Sequence, residues 1–398
     1  MQRVFGALVV CLSGCAHVQV QPPLRQVHIQ MDPMVFEAKA GPGTPSVELV
    51  DAAQYFEQAG AAFGDKQWVD AVRLYDEGLR RFPGSRYVVP SLYNSGLGLE
   101  ANGDLHGAVE RYRRLLAETT ASTSDLLDAQ FRLAATLGKL KNWPGAVAEY
   151  AAILKRTGPC PPSATLVCEL SISDRIQALV QRGVAQFEMK DLPASERTLR
   201  EAQALYQKHA AEERLDTDFY LGMGAYYLGE IAHLQYRQLP VRLPEKQLVE
   251  DLEQKGRQLL VAQRRYLDAM RVNNVEWATA AGYQIARLYR ELYEDLVGAP
   301  IPPQLSAEAK EVYREEVKAR VKTLLQKAAS IHERNVMMGE RVGAKNEWVA
   351  RSNQEMAQLR DLLSPAPAPA APSSEPAAVP ELPTPPLRPN DLVRPPVL

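Results

Sequence analysis

Three alanines set in one recurring local pattern constrain this chain more than any other feature. The segment Gly64-Asp65-Lys66-Gln67-Trp68-Val69-Asp70-Ala71-Val72-Arg73-Leu74-Tyr75 has a counterpart in Gly103-Asp104-Leu105-His106-Gly107-Ala108-Val109-Glu110-Arg111-Tyr112. A third copy runs Lys141-Asn142-Trp143-Pro144-Gly145-Ala146-Val147-Ala148-Glu149-Tyr150. Ala71, Ala108 and Ala146 stand 37 and 38 residues apart, each with a Tyr four positions on. A period of that size implies supersecondary units that bury their apolar faces only by stacking on neighbours. Such a chain forms an array of like units, not a doubly wound sheet.

The rest of the body supports helices as the unit. Between Ser46 and Leu363 apolar residues recur at spacings of three and four, and alternating strand patterns are absent. Prolines there fall at junctions: Pro83, Pro90, Pro159–Pro162, Pro240, Pro244 and Pro300–Pro303. Repeat one carries Tyr55, Ala59, Ala71, Tyr75, Gly78 and Pro83; repeat two Leu92, Gly96, Leu99, Ala108 and Tyr112. Repeat three carries Leu133, Ala134, Leu137, Trp143, Ala146 and Tyr150. A looser fourth has Leu179, Gly183, Leu192, Leu199 and Ala202, with Pro193 and Ser195 departing from the pattern. This spacing resembles the tetratricopeptide repeat (TPR), a helix pair of 34 residues. The resemblance covers about 50–210. It implies small residues where helices cross and an aromatic filling the hole beside each.

By that resemblance the first helix of each pair lines a concave groove, where Phe56, Phe63, Tyr93, Leu97, Phe131, Val184 and Phe187 are the peptide-groove candidates. The stripe has two possible occupants, a partner peptide or the chain's own carboxy-terminal helices. In the second half, Lys246–Arg271, Val275–Val297, Ser306–Met338 and Ala344–Leu363 read as long amphipathic helices. Trp277–Tyr289 reads as a further repeat's first helix, with Lys327–His332 opening its degenerate partner. Together with Ala299-Pro300-Ile301-Pro302 and Asn346–Val349, this layout is similar to exported TPR proteins of the deltaproteobacterial and myxobacterial type. These include the TPR lipoproteins of adventurous gliding motility.

The amino end reads as an address. One Arg precedes the apolar run Val4–Leu12 and small residues, the grammar of a signal peptide. Leu12-Ser13-Gly14-Cys15 resembles the lipobox of bacterial lipoproteins, which implies that Cys15 is the acylated first mature residue. Ala16 after it implies the periplasmic leaflet of the outer membrane. Cys160 and Cys168 remain as a pair, and in an exported chain a disulfide is expected; their spacing suits neither CxxC redox chemistry nor zinc. Of 29 prolines, 12 lie between Pro365 and Leu398, so this tail sustains neither helix nor sheet. It reads as a spacer, or as a proline-motif ligand around Leu387-Arg388-Pro389.

The expected organisation is a signal peptide 1–14, a flexible tether 15–45, about four TPR-like helix pairs over 46–210, a second helical-repeat domain 211–363 and a disordered Pro-rich tail 364–398. The fold class is all-α, a helical-repeat solenoid continuing into a long-helix half. A net charge of −2 argues against nucleic acid and against a polybasic membrane patch. No apolar run approaches the ~20 residues of a spanning helix.

Chemistry is sparse. His17, His28, His106, His209, His233 and His332 form no metal-ligand spacing. Gly138-Lys139 is followed by Leu140, not the Ser or Thr of a Walker loop. Gly96-Leu97-Gly98-Leu99-Glu100-Ala101 mimics a dinucleotide fingerprint but sits within a helix pattern. Glu315-Glu316 belongs to a solvated run of alternating charge. No cofactor, metal or catalytic residue is expected. The resemblances imply a scaffold binding other envelope proteins through the groove and the tail, attached to the membrane by its lipid alone. The competing readings are an assembly factor for outer-membrane barrels or a pilus secretin, and a regulator of a peptidoglycan enzyme.

Overall fold

In a computed structural model of the chain, residues 32–39, 46–156, 170–211, 215 and 217–363 are described here. Cys15, Cys160, Cys168 and the Pro-rich tail lie outside them. The described residues form thirteen helices and one two-stranded hairpin. The chain divides into two compact units after Thr198, earlier than the boundary after 210 that the repeat pattern suggests.

Unit 1 opens with a feature the sequence analysis does not anticipate. Strands β1 (Met34–Lys39) and β2 (Ser46–Asp51) pair antiparallel, with Val35 opposite Val50 and Phe36 opposite Leu49. The pattern is hard to read because each alternating run is only about four residues long and Gly41-Pro42-Gly43 between them looks like linker. Val35 and Val50 pack against the first helix pair. Asp51 ends the hairpin and caps the next helix, accepting from the Ala53 amide at 3.0 Å.

The helix pairs follow: α1 (Ala52–Gly64) with α2 (Trp68–Arg81), and α3 (Val88–Ala101) with α4 (Leu105–Leu116). Then come α5 (Thr123–Lys139) with α6 (Trp143–Leu154), and α7 (Ile172–Glu188) with α8 (Leu192–His209), inside which the division into units falls. All four turns within pairs share one geometry. Their middle residue is left-handed: Lys66 at φ 61°, Gly103 at 87°, Lys141 at 59° and Lys190 at 66°. The following amide reaches back five residues: Gln67 to Ala62, Asp104 to Leu99, Asn142 to Leu137 and Asp191 to Gln186, at 2.9–3.0 Å. This is the Schellman closure that ends a helix sharply. The left-handed residue falls five residues before Ala71, Ala108 and Ala146, so Lys66, Gly103 and Lys141 are equivalent in the alignment on those alanines.

Ala71, Ala108 and Ala146 are buried where the paired helices cross. A β-carbon on Gly96 would run into the Tyr112 ring, and one on Gly78 into Phe56. The small residue and the neighbouring aromatic therefore fill one volume, as the resemblance implies. Ser195 takes the place of Ala in the fourth pair; it is fully buried, and its Oγ donates to the Gly183 carbonyl at 2.8 Å. A buried hydroxyl with a partner fits where an unpartnered one would cost about 1–3 kcal/mol.

Unit 2 contains α9 (Asp218–Gln238), α10 (Glu245–Arg271), α11 (Val275–Val297), α12 (Ala307–Arg341) and α13 (Glu347–Leu363). Asn274 and Ser306 cap α11 and α12 by accepting from the amides of Trp277 and Ala309. Lys327–His332 lies in the interior of α12, not at the start of a helix; the long helix runs through it without a break. The core gathers Tyr236, Tyr266, Leu259, Leu288 and Leu325 around the small-residue segment Ala278–Gly282. A β-carbon on Gly229 would meet the Tyr266 ring, and one on Gly282 would meet the Asn335 side chain.

Candidate interaction surfaces

Within each unit the first helices of successive pairs lie side by side, α1, α3 and α5 in unit 1 and α9, α11 and α13 in unit 2. In unit 1 these helices carry most of the expected groove stripe, and the structure corrects part of it. Phe56 is buried: it stacks on Tyr87 at 5.0 Å and touches Phe82 at 6.2 Å. Phe187 is buried too, with Lys190 Nζ 5.5 Å from its ring centre. Both point into helix contacts because the resemblance fixes the helix but not the rotation of each side chain about it. Phe63 is half-buried and meets Trp68 edge-on at 5.2 Å. Leu97 and Val184 are half-buried. Tyr93 and Phe131 are half-buried and pack on one shared cluster, 6.2 Å from Tyr112 and 6.4 Å from Tyr150.

The sequence reading missed the polar bridge between α3 and α5. Glu100 accepts from Tyr112 Oη at 2.6 Å and from Lys139 Nζ at 2.5 Å, and Arg132 Nε donates to Tyr93 Oη at 3.5 Å. Burial raises the Glu100 carboxyl, and the hydrogen bonds from Lys139 and Tyr112 outweigh it and lower its pKa. Both α3–α5 pairs span 39 residues, about one repeat, which is the signal that could have found them.

Unit 2 presents a row of aromatic rings across α9, α11 and α13. Phe219 meets Trp277 at 5.6 Å, Trp277 meets Tyr226 at 5.3 Å, Tyr226 meets Trp348 at 6.0 Å and Trp348 meets Tyr283 at 5.7 Å. Tyr226 and Tyr283 are buried, Trp277 and Trp348 half-buried, and Phe219 is 41% exposed. The Arg351 guanidinium lies 4.9 Å from the Trp348 ring centre. Beneath the row Gln284 donates to Tyr226 Oη at 3.0 Å. Offset and edge-on rings at these distances form one rigid aromatic cluster that reaches solvent at Phe219.

A polar network ties α9, α10 and α11 together. His233 Nε2 lies 2.9 Å from Glu291 and its Nδ1 3.1 Å from Tyr266 Oη, which donates to Glu230 at 2.6 Å. Arg237 grips Glu291 with two hydrogen bonds, and Arg287 adds an ion pair at 3.1 Å. Burial raises the Glu291 carboxyl, but His233 and Arg237 together hold it down at about 2. Buried Lys255 pairs with Asp295 at 3.0 Å, donates to the Tyr236 carbonyl at 3.2 Å and lies 4.2 Å from the Tyr236 ring centre. His233 is 1% exposed with both ring nitrogens engaged. The network fixes three helices.

Among the described residues no group of His, Cys, Asp and Glu could hold a metal ion, and no helix is long and apolar enough to cross a membrane. No family model and no curated relative matches the chain. Solved structures do. A TPR protein from Parabacteroides merdae ATCC 43184 is 13% identical, with 78% of this chain and 98% of that one covered and a TM-score of 0.35. A TPR repeats protein from Bacteroides fragilis NCTC 9343 is 15% identical, with 69% and 98% covered and a TM-score of 0.29. BtubC from P. vanneervenii is 11% identical, with 69% and 97% covered and a TM-score of 0.31.

Proposed function

We propose that the protein is a non-catalytic adaptor whose side-by-side first helices hold segments of other polypeptides. The observation that carries the reading is the aromatic row from Phe219 to Tyr283, laid over three helices with Phe219 exposed at its end and Trp277 and Trp348 half-buried along it. Rigid aromatic edges bind with little loss of side-chain entropy, and such residues concentrate interface energy. An apolar peptide, extended or helical, is the chemistry such a row accepts. Cys15 supplies the proposed address, an acyl anchor in the periplasmic leaflet of the outer membrane. The assembly served is one of the cell envelope. The gliding-motility machine is the first to test, on the layout resemblance of the second half.

A photo-crosslinking residue at Phe219 tests the reading in living cells, with a second at Val312, 63% exposed on α12, as control. Envelope proteins captured from position 219 and not from 312 are expected. Equal capture from both positions, or none from 219, refutes it.

A further inference from the structure

The β1–β2 hairpin turns an apolar face to solvent. Register places Met34, Phe36, Ala38, Val47 and Leu49 on one side of the sheet, and they stand opposite or diagonal to one another. Phe36 is 72% exposed, Val47 68%, Leu49 49% and Met34 42%. The face is not waiting to fold inward. Val35 and Val50 on the other side are packed against the first helix pair. The strand ends are tied as well: the Ala52 amide donates to the Pro33 carbonyl at 3.1 Å, and Asp32 accepts from Arg86 at 2.8 Å and from Tyr87 Oη at 3.0 Å. Asp51, the one acid in register with this face, has its carboxylate turned to the Ala53 amide as a helix cap.

We propose that this face rests on a lipid surface, with Phe36 and Leu49 seated in the interfacial zone. The occupant follows from where the undescribed chain ends. Only the residues between Cys15 and Met34 separate the hairpin from the acyl anchor, and a chain of that length spans at most ~65 Å. The hairpin is the first described element after the anchor and is held near the bilayer by it, at high effective concentration. An apolar face held beside a bilayer gains attachment in proportion to the area it buries at the headgroup boundary. The net charge of −2 offers no basic attraction to lipid; the hairpin offers apolar area. A lipid interface also leaves the two outer strand edges hydrated, which a shallow contact permits and a deep one forbids. The proposal rests on the reading of Cys15 as the anchor.

The test uses the full mature chain on vesicles of equal parts phosphatidylethanolamine and phosphatidylglycerol. Hydrogen exchange is read by mass spectrometry with and without vesicles. Amides of 34–39 and 46–51 should slow about fivefold or more on vesicles at high lipid dilution, with peptides from α5 and α6 unchanged. The double variant Phe36→Ser, Leu49→Ser should keep its helices and lose that slowing. Identical hairpin exchange with and without vesicles overturns the proposal. Slowing that needs crowded protein instead of lipid also overturns it, and assigns the face to a second copy of the chain. The mass of the amino-terminal peptide separates this outcome from failure of the anchor. If no lipid is found on Cys15, the same chain is sedimented with the vesicles. Loss of binding by at least about threefold in the double variant then upholds the hairpin contact; no loss overturns it.

Discussion

Replacing His332 by Phe should remove one defined part of the acid sensitivity of unit 2. The imidazole is 1% exposed, its ring centre lies 5.5 Å from that of Tyr283, and Nδ1 has no hydrogen-bond partner. Burial, reinforced by the Arg290 guanidinium, lowers its pKa from 6.5 to about 4. The folded chain therefore keeps this group neutral at pH values where the unfolded chain protonates it. Between those two values the unfolded state binds more protons, so stability is full above about pH 6.5 and is lost as pH falls towards about 4. A displacement of that size corresponds to roughly 3 kcal/mol at the acid end of the window. Phe has nearly the same shape and no proton to bind. The assay is urea unfolding at several pH values, followed by hydrogen exchange in peptides of α11 and α12 so that only unit 2 is read. The wild-type midpoint should fall across the window and that of His332→Phe should stay nearly level. Both should weaken further in stronger acid. Glu291, held at about 2 against an ordinary 4.5, contributes stability that disappears only as pH falls between those values. Parallel curves for the two chains between pH 6.5 and 4 would refute the argument.

Three further outcomes are expected. Gly229→Ala places a β-carbon against the buried Tyr266 ring and should destabilise unit 2 by about 1–3 kcal/mol in urea titration, despite the better helix propensity of Ala. Lys141→Gly relieves a left-handed side-chain-bearing residue and should raise the unfolding midpoint of unit 1 by the equivalent of about 0.5–1 kcal/mol, whereas Gly103→Val should lower it by at least as much. Lys255→Met removes one buried cation from Asp295 and the Tyr236 carbonyl, which keep Tyr236 Oη and the Leu239 amide as partners, and should cost about 1–2 kcal/mol in calorimetry, less once Asp295→Asn is added.

Two helices of unit 2 were legible in the sequence almost residue for residue, whereas α9 was not singled out and α13 starts at Glu347 and not at Ala344. Val275–Val297 is the span observed, and Lys246–Arg271 begins one residue late. Their amphipathic period is long, and Asn274 marks the start of α11 by a cap that composition alone reveals. The end of the third helix was less clear. The expected Ser306–Met338 is observed as Ala307–Arg341, because nothing before Gly343 breaks the chain. The left-handed conformation of the turn residue was unmarked in the sequence for a physical reason. Glycine marks a left-handed turn only at Gly103, and lysines occupy the equivalent place elsewhere. The groove stripe was half legible. Periodicity finds the helix face, but a ring such as Phe56 leaves that face when a missing side chain opposite, here Gly78, opens a hole for it. The hairpin escaped because its alternation, Phe36-Glu37-Ala38-Lys39 and Ser46-Val47-Glu48-Leu49, lasts only four residues on each strand and flanks a stretch that reads as linker.

That hairpin bears on how the stack ends. A one-dimensional array leaves the flank of its outermost member bare, and arrays generally require a terminal lid to stay soluble. Val35 and Val50 cover this flank of α1, so the lid is a piece of sheet and not a further helix. Trimming the chain to begin at Ala52 would thus remove both the cover of the first repeat and the acceptor that starts its helix. Clumping of an otherwise helical product would be the visible result.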